Sequence, residues 1–327
     1  MEDLKDWYKN VQDIISIIDA CIIEGDSELI TLKHLAKKLG YSEYYSSRKF
    51  SEISGMSFRN YLHYRKLSFA LKELRDEESK IIDIALKYGF SSPEAFTRAF
   101  KKAYGLVPSE YRKHPIPVVL RTIIKPFDCY LMDGEKNQKE ESKLDVKVYF
   151  IRIPAHKFLH IRNYTSIGYW DFWQKQSEIP GQDCETICGL LDSIRGKLDD
   201  NDGAENNTSS GQLMAWINAP EGRLCSWGIP LAESYGVRLP KSYTGPIPKN
   251  MQLMDVSEGE YIVFEHGPFD LEKESQSVEK KIETAMKNFD YAKSGYALDT
   301  TPERVFYFFH DPKRFWKYVR PVYKTKA

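Results

Sequence analysis

A motif that occurs twice near the N-terminus constrains the fold of this chain more than any other feature. Each copy holds a short apolar segment that ends in a Gly-aromatic-Ser sequence, at residues 40–42 and again at residues 89–91. The glycine can adopt the left-handed backbone conformation that ends many helices, and the serine can cap the helix that follows. A helix, a short glycine-containing turn and a second helix form the arrangement that places the second helix in the major groove of DNA. Residues 31–111 are therefore predicted to contain two helix-turn-helix units.

The apolar residues of the two copies have the spacing of helices that pack on one side. They are Leu32, Leu35, Ala36 and Leu39 in the first copy and Ile81, Ile84, Ala85 and Tyr88 in the second. Phe50 and Phe100 are predicted to anchor the second helix of each unit in the core. Any helical domain can show such spacing, but two copies with matching turns and matching phenylalanines favour helix-turn-helix units over that alternative.

The sequence between and after the two units carries a family resemblance. Residues 57–75 show a helical apolar stripe that begins after Ser57, a residue type that caps helices. Gly105, Pro108, Tyr111 and Arg112 form the pattern Gly-x-x-Pro-x-x-Tyr-Arg. Together with the two units, these features resemble the AraC/XylS family of transcription regulators. The resemblance implies an all-α DNA-binding domain over residues 1–113, in which one long helix joins the two units and a first helix, at residues 7–24, packs on the first of them.

The resemblance also implies which side chains face DNA. The expected base-reading residues lie early on each recognition helix and are Tyr44, Ser47, Arg48, Glu94, Thr97 and Arg98. The expected phosphate contacts are Arg59, Arg65, Lys66, Lys101, Lys102 and Arg112. Arginine can donate to both acceptor atoms of a guanine, whereas contacts to phosphate position a protein without reading sequence. The alternatives are a phosphate contact or an intradomain ion pair for Arg48, and an ordinary solvated surface for the cationic set.

The charge balance and the cysteine content limit the remaining function classes. The chain has 47 Lys and Arg and 47 Asp and Glu, which argues against a broadly basic surface but permits a local basic face. No apolar run approaches the roughly 20 residues of a membrane span, so no membrane partner is expected, and neither is a secretory leader. Five scattered cysteines favour a reducing cytoplasm. Cys184 and Cys188 lack a second ligand pair, so two ordinary strand cysteines are preferred over a zinc site. No cofactor and no metal are expected.

A second domain is predicted over residues 144–327. Residues 114–143 are predicted to form a linker, because Pro115 and Pro117 disfavour helix in the residues before them and a charged segment follows. Within it, residues 118–131 could form one strand. The remaining sequence shows the order strand, strand, helix, strand twice, with residues 186–192 as a strand of the first half. The fold class is therefore multidomain, with an α+β second domain built as a pseudo-twofold pair of β-β-α-β modules. A cleft between such halves is a common place for a ligand.

The second domain resembles the GyrI-like small-molecule-binding domain. The matching segments are residues 153–158, 187–190, 259–269 and 319–322. The order of a DNA-binding domain followed by this domain is similar to that of Rob-type regulators. Members that bind lipophilic cations commonly carry Glu four residues before the final Pro, whereas this chain has Lys317 before Pro321. The resemblance therefore implies an aromatic or lipophilic effector, and Lys317 makes a neutral or anionic one at least as plausible as a cation.

The expected effector site combines aromatic rings with a few polar groups. The candidates are Tyr164, Trp170, Trp173, Glu185, Trp216, Phe264, Glu265 and Lys317. Rings can stack on a flat ligand, but each of these aromatic residues could equally belong to the core. The histidines of this domain have no spacing that links them as metal ligands.

These features favour a sequence-specific DNA-binding transcription regulator whose activity is modulated by a small molecule bound in the second domain. The expected partners are double-stranded DNA, the effector and RNA polymerase. No nucleophile, base and orienting group converge in the sequence, so no catalytic residue and no enzymatic activity are expected. The alternative is a GyrI-like binding or hydrolytic module in which DNA binding is secondary.

Overall fold

The described residues of the chain form two compact units. A computed structural model describes residues 2–25, 30–120, 146–198, 211–225, 228–311 and 314–325. The first unit lies before residue 121 and also includes residues 188–193, and the second contains the other residues from 146 onwards. Most of the predicted linker, and most of the strand suggested for residues 118–131, lies outside the described residues. The domain boundaries therefore stay a prediction.

The first unit is helical, as predicted. Its helices are α1 (Glu2–Glu24), α2 (Leu32–Lys38), α3 (Glu43–Ser54), α4 (Phe58–Asp76), α5 (Ile81–Lys87), α6 (Pro93–Tyr104) and α7 (Pro108–Lys113). Trp7, Ile14 and Ile18 of α1 are fully buried in the same hydrophobic core as Phe50 of α3 and Phe100 of α6. Helix α4 joins the two helix-turn-helix units, and its buried residues include Tyr61, Leu67, Leu71 and Leu74.

The turns inside the two units depend on glycines with a left-handed backbone. Gly40 has φ of 78° and Gly89 has φ of 76°, a region that L side chains adopt at a cost. In the first turn the hydroxyl of Ser42 accepts a hydrogen bond from the Tyr45 N–H and caps α3, as predicted. The second cap is Ser92 rather than Ser91, because Pro93 occupies the first helical position of α6. Proline is favoured there since it has no N–H to satisfy.

Among its described residues, the second unit contains one antiparallel sheet, three whole helices and the first four residues of a fourth helix, whose residues 188–193 belong to the first unit. The strands are β1 (Lys147–Ile153), β2 (His156–Asn163), β3 (Gln212–Leu224), β4 (Pro230–Pro240), β5 (Gln252–Val256), β6 (Gly259–His266), β7 (Tyr296–Leu298), β8 (Val305–Asp311) and β9 (Phe315–Lys324). The helices are α8 (Tyr169–Ser177), α9 (Cys184–Ser193), α10 (Leu271–Asn288) and α11 (Tyr291–Ser294). This confirms the α+β class of the second unit.

The sheet is built from two similar halves, one with strands β1 to β4 and the other with β5, β6, β8 and β9, and the strands of the two halves take equivalent places when the sheet is read from its opposite edges. It is β1-β6-β9-β8-β3-β4-β2-β5, and β7 pairs separately with β9. Exchanging β1 with β5, β2 with β6, β3 with β8 and β4 with β9 reproduces this order. Each half contains two helices between its strands, where the sequence predicted one.

The strand predicted at residues 186–192 is helix α9 instead. Ile187 and Leu191 are fully buried and four residues apart, which is the spacing of one helix face. The Asp183 carboxylate accepts a hydrogen bond from the Thr186 N–H at the start of the helix. A short apolar run does not distinguish strand from helix by periodicity, and the aspartate cap was the missed signal. Cys184 and Cys188 therefore lie one turn apart on a helix and are not strand cysteines.

The two faces of the sheet bury different side chains, because successive residues of a strand point to opposite sides. One face, here called the inner face, includes Phe158, Tyr261, Tyr307, Phe309 and Val319 in one apolar cluster. The other, here called the helix face, includes Ile262, Phe264, Phe308 and Trp316, which pack with Val278 and Ile282 of α10.

Candidate functional site

The first recognition helix, α3, presents its predicted base-reading residues on its outer side. Ser46 and Phe50 are buried on the opposite side. Tyr44 is 80% exposed, Arg48 is exposed and Ser47 is half-buried. Residues 44, 47 and 48 therefore share one accessible helical surface, which is the requirement for reaching base edges in a groove.

The second recognition helix, α6, repeats this arrangement at equivalent positions. Helices α3 and α6 each have 12 residues and end at glycines with positive φ, Gly55 and Gly105. Phe96 and Phe100 are buried, while Glu94 and Arg98 are exposed and Thr97 is half-buried. Residues 94, 97 and 98 occupy the same places along α6 as residues 44, 47 and 48 along α3, counted from the first residue of each helix.

Glu52 is a partner of Arg48, in the first helix-turn-helix unit, that the sequence analysis missed. Its Oε1 accepts a hydrogen bond from Nε of Arg48 at 2.8 Å, and its Oε2 lies 3.2 Å from Nζ of Lys49. These bonds lower the pKa of the Glu52 carboxyl, with the Arg48 bond as the larger cause. The four-residue spacing of Arg48 and Glu52 could have predicted this ion pair. The Nε of Arg48 must therefore release Glu52 before it can donate to another acceptor.

Four of the predicted phosphate-contacting residues are accessible to solvent. Arg59, Lys101 and Lys102 are exposed, and Lys66 is half-buried. Burial lowers the pKa of the Lys66 ammonium. Its Nζ lies against the turn of the second helix-turn-helix unit, 3.1 Å from the place that a Cβ on Gly89 would occupy.

Arg65 and Arg112 are corrections to the predicted phosphate set. Arg65 is buried, and its guanidinium donates to both carboxylate oxygens of Asp19, at 2.9 and 2.5 Å. Arg112 donates to the main-chain oxygens of Leu74 and Ser79, at 3.3 and 2.5 Å. Both side chains join helices of the first unit, because a planar guanidinium can donate to two acceptors at once.

His63 of α4 is a second missed residue. Its pKa is lowered by burial and, after that, by the positive charges of Lys102, Arg59 and Lys66. The fold therefore gathers three predicted phosphate residues around one imidazole. His63 also lies beside the second turn, with its ring centroid 6.0 Å from that of Phe90. A DNA phosphate at this cluster would favour the protonated imidazole.

The predicted effector residues do not line one cleft. Phe264 and Glu265 are neighbours on β6, so they point to opposite faces of the sheet. Phe264 is buried on the helix face, where its ring centroid lies 5.6 Å from that of Phe289. Lys317 and Glu265 are paired across β9 and β6 on the inner face, where Nζ of Lys317 lies 4.1 Å from the Phe315 ring centroid. The single predicted site is therefore divided between the two faces.

Trp216 lies on the helix face and packs on neighbouring strands. Its ring stacks on Tyr318 at a centroid distance of 5.9 Å, and its Nε1 donates to Glu233 at 3.4 Å. Glu233 is a buried carboxylate that the sequence analysis missed. It also accepts a hydrogen bond from the Gly168 N–H, at 3.1 Å. These bonds give the carboxylate a structural role between β4 and the start of α8.

The remaining candidates lie around α8 and α9. Trp173 is buried against Tyr235, with ring centroids 4.9 Å apart, and so belongs to the core. Trp170 and Tyr164 are 39% and 38% exposed, and Glu185 is exposed near the start of α9. Trp170 and Tyr164 thus remain accessible aromatic surfaces.

The described residues contain no group of three or more His, Cys, Asp or Glu side chains placed to hold a metal ion. Within the same part of the chain, every helix is too short or too polar to cross a membrane.

The family model and the relatives described next match about a third of this chain or less. Residues 35–114 match a family model described as a helix-turn-helix domain. The "Probable transcription factor PqrA" of Proteus vulgaris is 35% identical over 104 residues, which are 32% of this chain and 84% of that protein. The "Regulatory protein SoxS" of Escherichia coli K12 is 36% identical over 104 residues, 32% of this chain and 94% of that protein. Among solved structures, the C-terminal domain of AraT, a response regulator from Geobacillus stearothermophilus, is 31% identical, with a TM-score of 0.29; the match covers 32% of this chain and 84% of that one.

Proposed function

Because the chain belongs to the AraC-type family of DNA-binding transcription regulators, we propose that α3 and α6 read two adjacent segments of major groove in one operator. The observation that carries this proposal is the equivalence of the two recognition helices. Each has the same length, the same buried phenylalanine and an exposed arginine at the same position, Arg48 or Arg98. Such helices reach successive grooves when they lie about one turn of DNA apart.

The proposed base contacts come from Tyr44, Ser47 and Arg48 on α3 and from Glu94, Thr97 and Arg98 on α6. Arg59, Lys66, Lys101 and Lys102 are the proposed phosphate contacts, with His63 among three of them. Arginine at a guanine contributes roughly 1–3 kcal/mol of discrimination, whereas each phosphate contact contributes to affinity for any sequence. RNA polymerase is the proposed partner once the operator is bound, and the cytoplasm is the proposed location.

The test is selection of preferred sequences from random DNA by the full chain, repeated with Arg98→Ala and with Lys102→Ala. Arg98→Ala should relax the preference at one or two base pairs by about tenfold. Lys102→Ala should keep the preferred sequence and make the salt dependence of log Kd shallower by about one. A matched control is Lys249→Ala, a change of an exposed lysine of the second unit. Unchanged preference in Arg98→Ala would refute the base contact, and an unchanged salt dependence in Lys102→Ala would refute the phosphate contact.

For the second unit we propose a small-molecule effector role, in the manner of GyrI-like domains. The two-half order of its sheet supports this proposal, as does the resemblance of residues 259–269 and 319–322. An effector changes DNA binding only if it has different affinities for two states of the protein. The proposal includes no catalytic step.

The effector role is tested by measuring operator affinity with and without candidate ligands. A ligand that binds the full chain and changes operator affinity at least severalfold supports it. A ligand that binds tightly and leaves operator affinity unchanged refutes an effector role for that ligand.

A further inference from the structure

Arg59, His63 and Lys66 lie along one face of helix α4, because they are spaced four and three residues apart. Arg59 and His63 are exposed, and Lys66 is half-buried. This face lies beside the turn of the second helix-turn-helix unit. The His63 ring centroid is 6.0 Å from that of Phe90, and Nζ of Lys66 lies against Gly89. Recognition helix α6 begins just after that turn.

The charged groups that act on the His63 imidazole, in the part of the chain that the structure describes, are all positive. Burial lowers the pKa of this imidazole, and the charges of Lys102, Arg59 and Lys66 lower it further. Arg59 and Lys66 belong to α4 itself, whereas Lys102 belongs to α6. The aromatic neighbours of His63, Tyr64 and Phe90, add no charge. In the free chain His63 is therefore mostly neutral at neutral pH.

Among the described residues, these four side chains form no ion pair and no hydrogen bond with one another or with the rest of the protein. Other cations of the first unit do have such partners, since Arg48, Arg65 and Lys87 each bind a carboxylate. Like charges that are gathered without a counterion repel one another, and an anion that binds among them removes that cost. The cluster therefore favours an anionic partner.

The position of the cluster indicates which anion this is. When α6 lies in a major groove, the side chains beside it face the phosphates of the groove wall. A protonated imidazole can donate from both ring nitrogens, and such charge-assisted bonds to phosphate are short and strong. A phosphate close to His63 also raises the pKa of the imidazole, opposite to the effect of the three cations.

We propose that His63 is a further phosphate contact and that its imidazole binds a proton from solvent when the chain binds DNA. This inference rests on the DNA-binding function proposed above and adds one residue and one proton to it. Affinity for DNA then rises as pH falls, because the complex holds more protons than the free chain. The increase begins as pH falls through the pKa of His63 in the complex and is complete below its lowered pKa in the free chain.

The test measures Kd of the full chain for the selected operator, and for a random-sequence duplex of the same length, at pH 8 and pH 6. Wild-type affinity should be about tenfold higher at pH 6, which is the lower end of the effect of one nearby opposite charge on a histidine. The salt dependence of log Kd should be steeper at pH 6 by up to about one, because one more phosphate is neutralised. Calorimetric titrations in buffers with different heats of ionisation should show proton uptake on binding.

Two changes of His63 separate its charge from its shape. His63→Gln should bind about as weakly at pH 6 as at pH 8 and should take up no proton. His63→Arg carries a permanent charge, so it should bind more tightly than the wild type at pH 8 and lose the pH dependence. The matched control is His34→Gln, a change of an exposed histidine on α2, which should keep the wild-type pH dependence.

Equal wild-type affinity at the two pH values would overturn the inference, as would a wild-type pH dependence in His63→Gln or its loss in His34→Gln. A purely structural role for His63 is refuted by tighter binding of His63→Arg at pH 8 and supported if both His63 variants bind more weakly at every pH. Equal affinity for the operator and the random duplex would refute base reading. The pH dependence on the random duplex still tests His63 in that case, because every duplex has phosphates.

Discussion

Arginines of the first unit divide between two environments. Arg48 and Arg98 are exposed on the recognition helices, whereas Arg65 is buried in an ion pair with Asp19. The sequence places all three in helices of similar polarity, so composition alone does not separate them. The difference arises from which side of each helix faces the core, and it determines whether the loss of a side chain affects DNA binding or stability.

Glu52→Gln should tighten DNA binding severalfold, because it releases Arg48 and removes a negative charge near the expected phosphates. The matched control is Glu43→Gln, which removes the same charge from the same helix but leaves the Arg48 ion pair in place. Competition gel shifts on the selected operator, and on one altered at a guanine of the α3 site, measure both affinity and preference. Equal effects of the two changes would contradict a specific role for the Arg48–Glu52 pair.

Asp19→Asn should lower the free energy of unfolding of the first unit by about 3 kcal/mol, because it leaves the Arg65 charge buried without its counterion. The double change Asp19→Leu with Arg65→Met should recover most of that loss. Urea unfolding followed by circular dichroism provides the comparison. The double variant should also keep the wild-type salt dependence of DNA binding; a slope shallower by about one would return Arg65 to the phosphate contacts.

At the scale of elements, the two helix-turn-helix turns differ in what surrounds them. Gly40 and Gly89 have nearly the same positive φ, but a Cβ on Gly40 would meet no atom within 4 Å, whereas one on Gly89 would meet the Lys66 ammonium. The turn of the second helix-turn-helix unit is also one residue longer than the first turn, since Pro93 moves the cap to Ser92. A side chain at Gly89 would therefore strain the backbone and also push against Lys66, a predicted phosphate contact.

Gly40→Ala and Gly89→Ala should each destabilise the first unit by roughly 1 kcal/mol, which is the cost of placing a side chain in the left-handed region. Only Gly89→Ala should also displace Lys66 and weaken DNA binding. Thermal unfolding and gel shifts on both variants separate the two effects. If Gly40→Ala weakened DNA binding as strongly as Gly89→Ala, the change in affinity would come from lost stability and not from Lys66.

The helices and the turns of the first unit could be predicted because local signals agree there. Capping serines, glycines at helix ends and apolar spacing all indicate the same boundaries, and the structure has the predicted order of helices. Residues 186–192 show the opposite case. Their apolar run fits strand and helix equally, and the Asp183 cap that favours helix lies just outside the segment considered. Local pattern is informative where several independent signals coincide.

At the scale of the whole molecule, the second unit buries histidines that must stay neutral. Burial, and then the Arg238 charge, lower the pKa of His156 to about 4, and burial with the Arg162 charge does the same for His160. Nδ1 of His160 lies 3.1 Å from the Phe158 oxygen, and Arg162 donates to its Nε2 at 3.3 Å. A proton on Nε2 would lose this hydrogen bond and place two cations together.

The second unit should therefore lose stability in mild acid. The reason is that the unfolded chain binds protons at these two histidines as pH falls through 6.5, while in the folded chain they stay neutral down to about pH 4. The contribution of these histidines is complete above pH 6.5 and is lost as pH falls towards 4. Between pH 8 and pH 5 each of the two histidines should lower the free energy of unfolding by about 2 kcal/mol. His160→Gln keeps a hydrogen-bonding side chain without this titration and should make the pH dependence shallower by about half. Guanidinium unfolding at several pH values measures it; an unchanged dependence would show that His160 does not titrate on unfolding.

The sequence by itself determined the helical first unit, the positions of both recognition helices and the α+β character of the second unit. Each of these depends on contacts between residues a few positions apart, such as caps, turns and the spacing along one element. Only the tertiary structure decided that Arg65 faces Asp19, that Phe264 and Glu265 serve opposite faces, and that the charge of Lys102 acts on His63. Those relations join residues from distant parts of the chain, and sheet order and helix orientation fix them through packing that no local pattern encodes.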